Sequence, residues 1–396
     1  MQAVVARRYG PPEDYELAEI PIPQPGPGQI QVRIDAVSLN PADVRLAAGD
    51  FRATVHLPFP HVPGNDFAGT VTAVGEGVTA FTEGDEIFGF ATPRALRHMG
   101  SSSLSTGTLA EYAVFEADTP FLARRPAVID PSQAAALPTV GLAARALMAT
   151  ASTAPGDHTD PKPGDRKPGT GRGPSTDARS AVDPGSSTNP GPSTDSGRSI
   201  DSGPATDLGP STALGPSTAL GPSTHLTPST YLGPGTRVLV AGATGGVGTT
   251  LLPLLARTGA HVVATARDGD ADLVRELGAS EVVGYDSYPS DVDLAVNLVL
   301  PGDRLDPLIA AVRPGGRLLT ITFPPPPPHD KVDVRLVLDM EARFGGMAEV
   351  AADAEAGLLR ARIAAEYEFP DAVRALTHFA RRHKNGKLVV RVRSRT

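Results

Sequence analysis

Apolar and polar side chains alternate with period two along QIQVRIDAVSL (29–39), the pattern of a strand with one face buried. FAGTVTAVGEGV (67–78), GDEIFGF (84–90) and LAEYAVF (109–115) repeat it between Gly and Pro punctuation. These runs predict a small antiparallel β-barrel over residues 1 to about 120. From Pro131 the period changes, and PSQAAALPTVGLAARALMA (131–149) has helical spacing. Between 236 and 323, apolar strands alternate with helical stretches: RVLVAG, TTLLPLLARTG, HVVATA, DADLVRELG, EVVGY, VDLAVNLV, DRLDPLIAAVR and GRLLTITF. That alternation predicts parallel strands with right-handed crossovers, a doubly wound α/β sheet. Beyond Pro328, EVAADAEAGLLRARIAAEY (349–367) and DAVRALTHFARRH (371–383) read as helices and KLVVRV (387–392) as a last strand.

Residues 152–233 fit neither half. Gly, Pro, Ser, Thr and Asp dominate, and prolines 174, 192, 204, 210, 216, 222, 228 and 234 fall on one six-residue grid. A left-handed β-helix has a similar repeat. Each repeat, however, holds a proline that cannot donate to a ladder, and few repeats carry a leucine to bury. The segment is therefore expected to be a disordered insert, because it buries too little apolar surface to offset its ordering entropy.

Composition removes several chemistries. The chain of 396 residues is 40% hydrophobic and 20% charged, with net charge -8 and no cysteine. Disulfides, thiolate nucleophiles and zinc sites built on Cys are excluded. The acidic balance argues against nucleic acid as partner. No apolar run reaches membrane-spanning length, and MQAVVARRYG lacks the apolar core of a secretion signal, so a cytoplasmic enzyme is expected.

Gly242, Gly245 and Gly248 stand at three-residue spacing between a buried strand and a helix. Glycine permits a tight turn there and lets backbone N–H groups approach a pyrophosphate at the positive helix end. The βαβ surroundings support a dinucleotide reading, and the missing Lys-Ser/Thr excludes a triphosphate P-loop. The next strand ends in Thr265, Ala266 and Arg267, where NAD binding prefers an acidic residue for the ribose hydroxyl. The Arg267 guanidinium suits a 2′-phosphate, which favours NADPH, although Asp268, Asp270 and Asp272 blur the local charge.

The motifs LNPADVRLAAG (39–49), PGNDFAGTVTAVGEGV (63–78), GTLAEYAV (107–114), AAALPTVGLAARAL (134–147), GATGGVG (242–248), GASEVVGY (278–285) and NGKLVVRV (385–392) occur in one order. In that order they resemble the medium-chain dehydrogenase/reductase superfamily, in its zinc-independent quinone oxidoreductase and enoyl reductase branch. The resemblance implies a GroES-like domain from 1–123 and 327–396. It implies a Rossmann domain from 124–151 and 234–326, with the site in the cleft between them. Cofactor contacts are expected at Gly242, Thr244, Gly245, Gly246, Val247 and Gly248, with Arg267, Tyr285, Asn297 and Asn40 around them. Asn40 matches an asparagine near the nicotinamide in relatives. Asp43 reads as structural.

Zinc-bearing relatives carry Gly-His-Glu where this chain has Gly64-Asn65-Asp66, so no metal is expected. The expected reaction is hydride transfer from NADPH to a small-molecule enone, enoyl compound or quinone. Phe51 replaces the tyrosine that is the usual candidate proton donor, leaving water as the donor. Phe51, Phe59 and the FPPPPPHD loop (323–330) are candidate substrate contacts. A dinucleotide sensor without turnover, and an accessory reductase tethered through the insert, are the alternatives. A homodimer is compatible with all three.

Overall fold

The strand that organises the first domain is β3 (Gln29–Ser38), preceded by a two-stranded antiparallel ribbon of β1 (Gln2–Val5) and β2 (Glu16–Glu19). The computed structural model describes residues 1–53, 56–91, 107–153, 231–339 and 341–393. β4 (Asp66–Val74) runs antiparallel along nearly all of β3. On the other edge β6 (Tyr112–Glu116) covers the first half of β3 and the tail strand β15 (Lys387–Arg391) the second. β3 is thus hydrogen-bonded along both edges, and none of its residues is fully exposed. β5 (Glu86–Phe90), β7 (Leu122–Arg124) and β14 (Ile363–Glu368) complete a seven-stranded sheet. The expected antiparallel, GroES-like arrangement holds except that β14 and β15 pair in parallel.

The second domain is the doubly wound sheet the alternation predicted. Its strands are β8 (Arg237–Ala241), β9 (His261–Thr265), β10 (Glu281–Val283), β11 (Val292–Asn297), β12 (Val312–Thr320) and β13 (Asp333–Leu336). They are all parallel, in the order β10-β9-β8-β11-β12-β13. The order reverses between β8 and β11, and ligands of such sheets bind in the crevice at that switch point.

Of the helices, α1 (Pro41–Ala48) lies on the first domain. α2 (Pro131–Ala136) and α3 (Pro138–Ala151) bridge to the second, where α4 (Gly246–Arg257), α5 (Ala271–Glu276) and α6 (Asp306–Ala311) flank the sheet. α7 (Met347–Glu355) packs on α3, and α8 (Ala372–Arg381) on the first domain. Among the described residues no helix is long and apolar enough to cross a membrane.

One hydrophobic cluster crosses the domain boundary: Ala36, Ala68 and Val389 of the first sheet share it with Val140 of α3 and Val240 of β8. The two sheets are therefore positioned by continuous packing, not by a free hinge. A buried ion pair between Arg145 of α3 and Asp353 of α7 clamps the helical layer, with Arg145 also donating to the Phe344 carbonyl.

Two sequence expectations need correction. The stretch 349–367 is not one helix: α7 stops at Glu355, and 363–368 is β14. Gly357 takes φ 69°, and the N–H groups of Leu358 and Leu359 turn back onto the Asp353 carbonyl, a left-handed helix stop that the Ala-rich composition hides. The sheet of the second domain also extends past residue 326, because β13 pairs beside β12 and the proline run is the exposed connection between them.

Residues 154–230 of the insert lie outside the described residues, as does the disorder expected of them. The insert's boundaries are nevertheless held. Arg317 of β12, fully buried, donates through Nη1 to the carbonyls of Thr150 (2.6 Å) and Thr153 (2.9 Å) at the end of α3. On the return side Leu232 is buried in the same cluster as α3, and Tyr231 lies within electrostatic reach of Arg317. Loop closure costs only about 0.6 kcal/mol per doubling of length. Replacing residues 155–230 by about ten Gly/Ser residues is thus expected to keep cooperative unfolding and raise stability by about 2 kcal/mol at most. Loss of cooperative unfolding in that variant would show that the insert supports the fold.

Candidate functional site

The glycine turn sits at the switch point. Gly242 takes φ 87° directly after β8, and its N–H donates to Thr265 Oγ1 at the end of β9 (3.0 Å). A Cβ on Gly242 would lie 3.1 Å from Val299 Cβ and 3.2 Å from Leu298 Cβ. Gly245 caps α4, and Gly246, Val247 and Gly248 form its first turn, where backbone N–H groups have no helical carbonyl to pair with. Gly248 packs so tightly that a Cβ would meet the Ala243 carbonyl oxygen at 2.4 Å. Thr244 is buried within the turn. A helix N-terminus laid bare by glycines is a fit for a pyrophosphate.

At the end of β9 the Thr265 hydroxyl accepts from the turn, and none of residues 265–267 is an acid that would read a ribose 2′-hydroxyl. Arg267 is exposed, and no described ion pair engages it. The three acids after it are not equivalent. Asp272 pairs with Arg275 at 3.0 Å in open solvent. Asp270 turns inward to His383 (3.2 Å) and Asn385, two residues of the chain's tail. The N–H of Ala266 donates to the Val283 carbonyl (3.0 Å), which brings half-buried Tyr285, two residues past β10, to the same edge.

Asn297, at the end of β11, is fully buried and its amide is occupied. Nδ2 donates to the Leu300 carbonyl and to Thr320 and Thr322 Oγ1, while Oδ1 accepts from Val299 and Leu300 N–H. It shapes the 298–300 loop that walls Gly242; its own side chain has no donor or acceptor left over.

On the first-domain side, residues far apart in sequence converge. Lys387, at the start of β15 and 4% exposed, donates through Nζ to Asn40 Oδ1 (2.6 Å) and pairs with Asp66 Oδ2 (3.3 Å). Asp66 also accepts from Thr139 Oγ1 (2.6 Å), Thr139 N–H and Ser38 Oγ (3.2 Å). Gly386, just before Lys387, forms a parallel bridge with Gly245, and a Cβ on Gly246 would come within 2.8 Å of Lys387 Cδ. The tail Asn385-Gly386-Lys387 thus lies against the glycine turn while its lysine fixes the Asn40 amide. Nothing in the local sequence of that motif marks this role.

Phe51 and Phe59 are both partly buried against the core of the first domain. Arg45 stacks on Phe51 with its guanidinium 5.0 Å from the ring centre, and Tyr9 meets Phe59 edge-on at 4.9 Å.

Asp43 caps α1 by accepting the Asn40 backbone N–H at 2.7 Å, in keeping with its structural reading, but its Oδ1 is buried without a partner. Burial above all, with the neighbouring Asp66 charge, pushes its carboxyl up to about 7 against the pull of Lys387 and the backbone donors. The folded pKa lies above the ordinary value of 3.8, so the stability this group contributes is complete below about pH 4 and is lost as pH rises towards 7. Between pH 5 and pH 8 the wild type is expected to lose about 3 kcal/mol more than Asp43→Asn in urea unfolding. His61, held down to about 4 by desolvation, works in the opposite direction but is common to both proteins. Parallel pH profiles for the two would show that Asp43 is ionised throughout.

Among the described residues, the donors at the position of the family's zinc site do not fit zinc. The chain has no cysteine, Asn65 stands where zinc-bearing relatives carry histidine, and the Asp66 carboxylate is consumed by Lys387, Thr139 and Ser38. Among the described residues no group of three or more His, Asp or Glu could hold a metal ion.

Residues 26–126 match the alcohol dehydrogenase GroES-like domain family, and residues 259–390 the zinc-binding dehydrogenase family. The chain is 27% identical over 270 residues to a chloroplast envelope quinone oxidoreductase homolog of Arabidopsis thaliana, covering 68% of this chain and 56% of that one. It is 37% identical over 139 residues to the NADPH-dependent alkenal/one oxidoreductase of the same plant, covering 35% and 34%. The chain therefore spans little more than half the length of the first of these relatives and about a third of the second. Its fold matches that of the quinone oxidoreductase from Coxiella burnetii with a TM-score of 0.67 over 99% of both chains, at 20% identity. A GroES-like sheet joined to a glycine-turn Rossmann domain, with both family matches in that order, places the chain in the medium-chain dehydrogenase/reductase superfamily, among relatives named as quinone oxidoreductases and enoyl reductases.

Proposed function

We propose that the chain is a cytoplasmic, zinc-free, NADPH-dependent oxidoreductase that reduces an activated C=C bond or a quinone in the crevice between its two domains. The observation that carries the reading is the meeting of the glycine turn with the tail: Gly245 bridges Gly386, and Lys387 reaches Asn40. This chain of contacts links the helix end proposed to bind phosphate to the asparagine that the family resemblance sets beside the nicotinamide. NADPH, when bound, supplies a hydride. The backbone N–H groups of Gly246, Val247 and Gly248 take the pyrophosphate, Arg267 the 2′-phosphate, and Lys387 holds the Asn40 amide in one orientation. With phenylalanine at 51 in place of the tyrosine of relatives, water supplies the proton. Without a Lewis acid to polarise an alcohol oxygen, reduction of an already electrophilic carbon is the easier direction.

Steady NADPH oxidation, followed at 340 nm across quinones, enones and enoyl thioesters, tests the reading. Turnover with at least one class is expected. Tight NADPH binding with no turnover on any of them would favour the sensor reading, which the missing hydroxyl at Phe51 supports. Arg267→Ala is expected to raise KM for NADPH about ten- to a hundredfold, the worth of one charge-assisted contact, with little change for NADH. Equal losses with both cofactors would remove Arg267 from the phosphate site.

A further inference from the structure

The loop after β9 carries an unfavourable charge for the cofactor proposed above. Asp268, Asp270 and Asp272 follow Arg267 within five residues, and each carboxylate near a 2′-phosphate weakens its binding by Coulomb repulsion. The fold treats these acids differently. Asp272 is exposed and paired with Arg275, the side chain that follows it on α5. Asp270 is drawn away from solvent, its side chain only 15% exposed, by two residues more than 110 positions distant. His383 Nε2 lies 3.2 Å from Asp270 Oδ2, and Asn385 Nδ2 donates to Oδ1. Both sit on the segment whose Gly386 bridges Gly245. The Asp270 backbone N–H also donates to the Arg267 carbonyl (2.9 Å), so whatever holds Asp270 holds the turn that carries Arg267.

We propose that the His383–Asp270–Asn385 clasp is a specificity-determining device for the 2′-phosphate of the cofactor. It ties one of the two carboxylates nearest Arg267 to the tail, leaving exposed Asp268 as the other, and fixes the turn on which Arg267 stands. None of the three residues need touch the cofactor; they act through Arg267 and through the charge they sequester. The inference rests on the NADPH reading, and the experiment separates the two.

The test uses the full chain, with dissociation constants for NADPH and NADH measured by calorimetry at neutral pH. His383→Ala/Asn385→Ala is expected to weaken NADPH about fivefold and leave NADH within twofold of wild type. Adding Asp270→Asn to that background is expected to restore most of the NADPH affinity, since the released charge is then gone. Asn385→Ala alone keeps His383 on the carboxylate, and a smaller loss confined to NADPH is expected; it carries the test if the double variant does not fold. Equal weakening of both cofactors, or no recovery on adding Asp270→Asn, would reduce the clasp to a fold support and overturn the inference while leaving the NADPH reading intact. A wild type that binds NADH as tightly as NADPH would overturn both.

Discussion

Replacing Lys387 by methionine is expected to destabilise the protein by about 3–5 kcal/mol, the cost of leaving one member of a buried ion pair behind. The Asp66 side chain is fully buried, and Lys387 is the cation that touches it. Methionine keeps the length and apolar stem that pass over Gly246 but removes both the hydrogen bond to Asn40 and the charge opposite Asp66. Thr139 and Ser38 still donate to the carboxylate, but as neutral groups they do not cancel its charge. Adding Asp66→Asn to Lys387→Met should recover at least half of the loss, because the unpaired charge is what costs most. Urea unfolding of the wild type, both singles and the double closes the cycle. A single-variant loss below about 1 kcal/mol would mean that the pair is hydrated and the junction far looser than its burial indicates.

Gly248→Ala is expected to weaken NADPH by about a hundredfold or more while the protein stays folded. The added methyl has no side chain to push aside: it faces the Ala243 carbonyl oxygen at 2.4 Å and the Gly242 carbonyl oxygen at 2.6 Å. Relief comes only by swinging the first turn of α4 away from the loop, which carries its N–H groups off the phosphate position. Each charge-assisted hydrogen bond lost is worth about 1.5–3 kcal/mol, so losing two accounts for the hundredfold. Calorimetric titration reads the affinity and circular dichroism checks the fold. A folded variant that binds NADPH within threefold of wild type would place the pyrophosphate elsewhere.

Much of this was legible in one dimension because the physics behind it is local. A strand with one wet face announces itself by alternation, and a βαβ unit by its change of period, so β3 and the sheet from β8 to β12 can be read directly. The glycine turn is equally local, since tight backbone packing within seven residues requires glycine where the chain has it. Misreadings came where local signals are weak. The run from 349 to 367 is rich in Ala at both ends, and the positive φ of Gly357 and the pairing with β15 separate α7 from β14.

What determined the site's finer organisation lies beyond any local pattern. Asn40, Asp66, Thr139 and Lys387 meet across separations of up to 347 residues, and Asp270 meets His383 across 113. A buried lysine and a solvated one look alike in a sequence, because burial is conferred by strands contributed from both ends of the chain. The residue types and the glycine spacing therefore announced a dinucleotide fold and the absence of cysteine chemistry. Which carboxylates are neutralised, which cation stays available and which amide is held in place were decided by the packing of the tail between the two sheets, where a charge is tolerated only if its partner arrives with it.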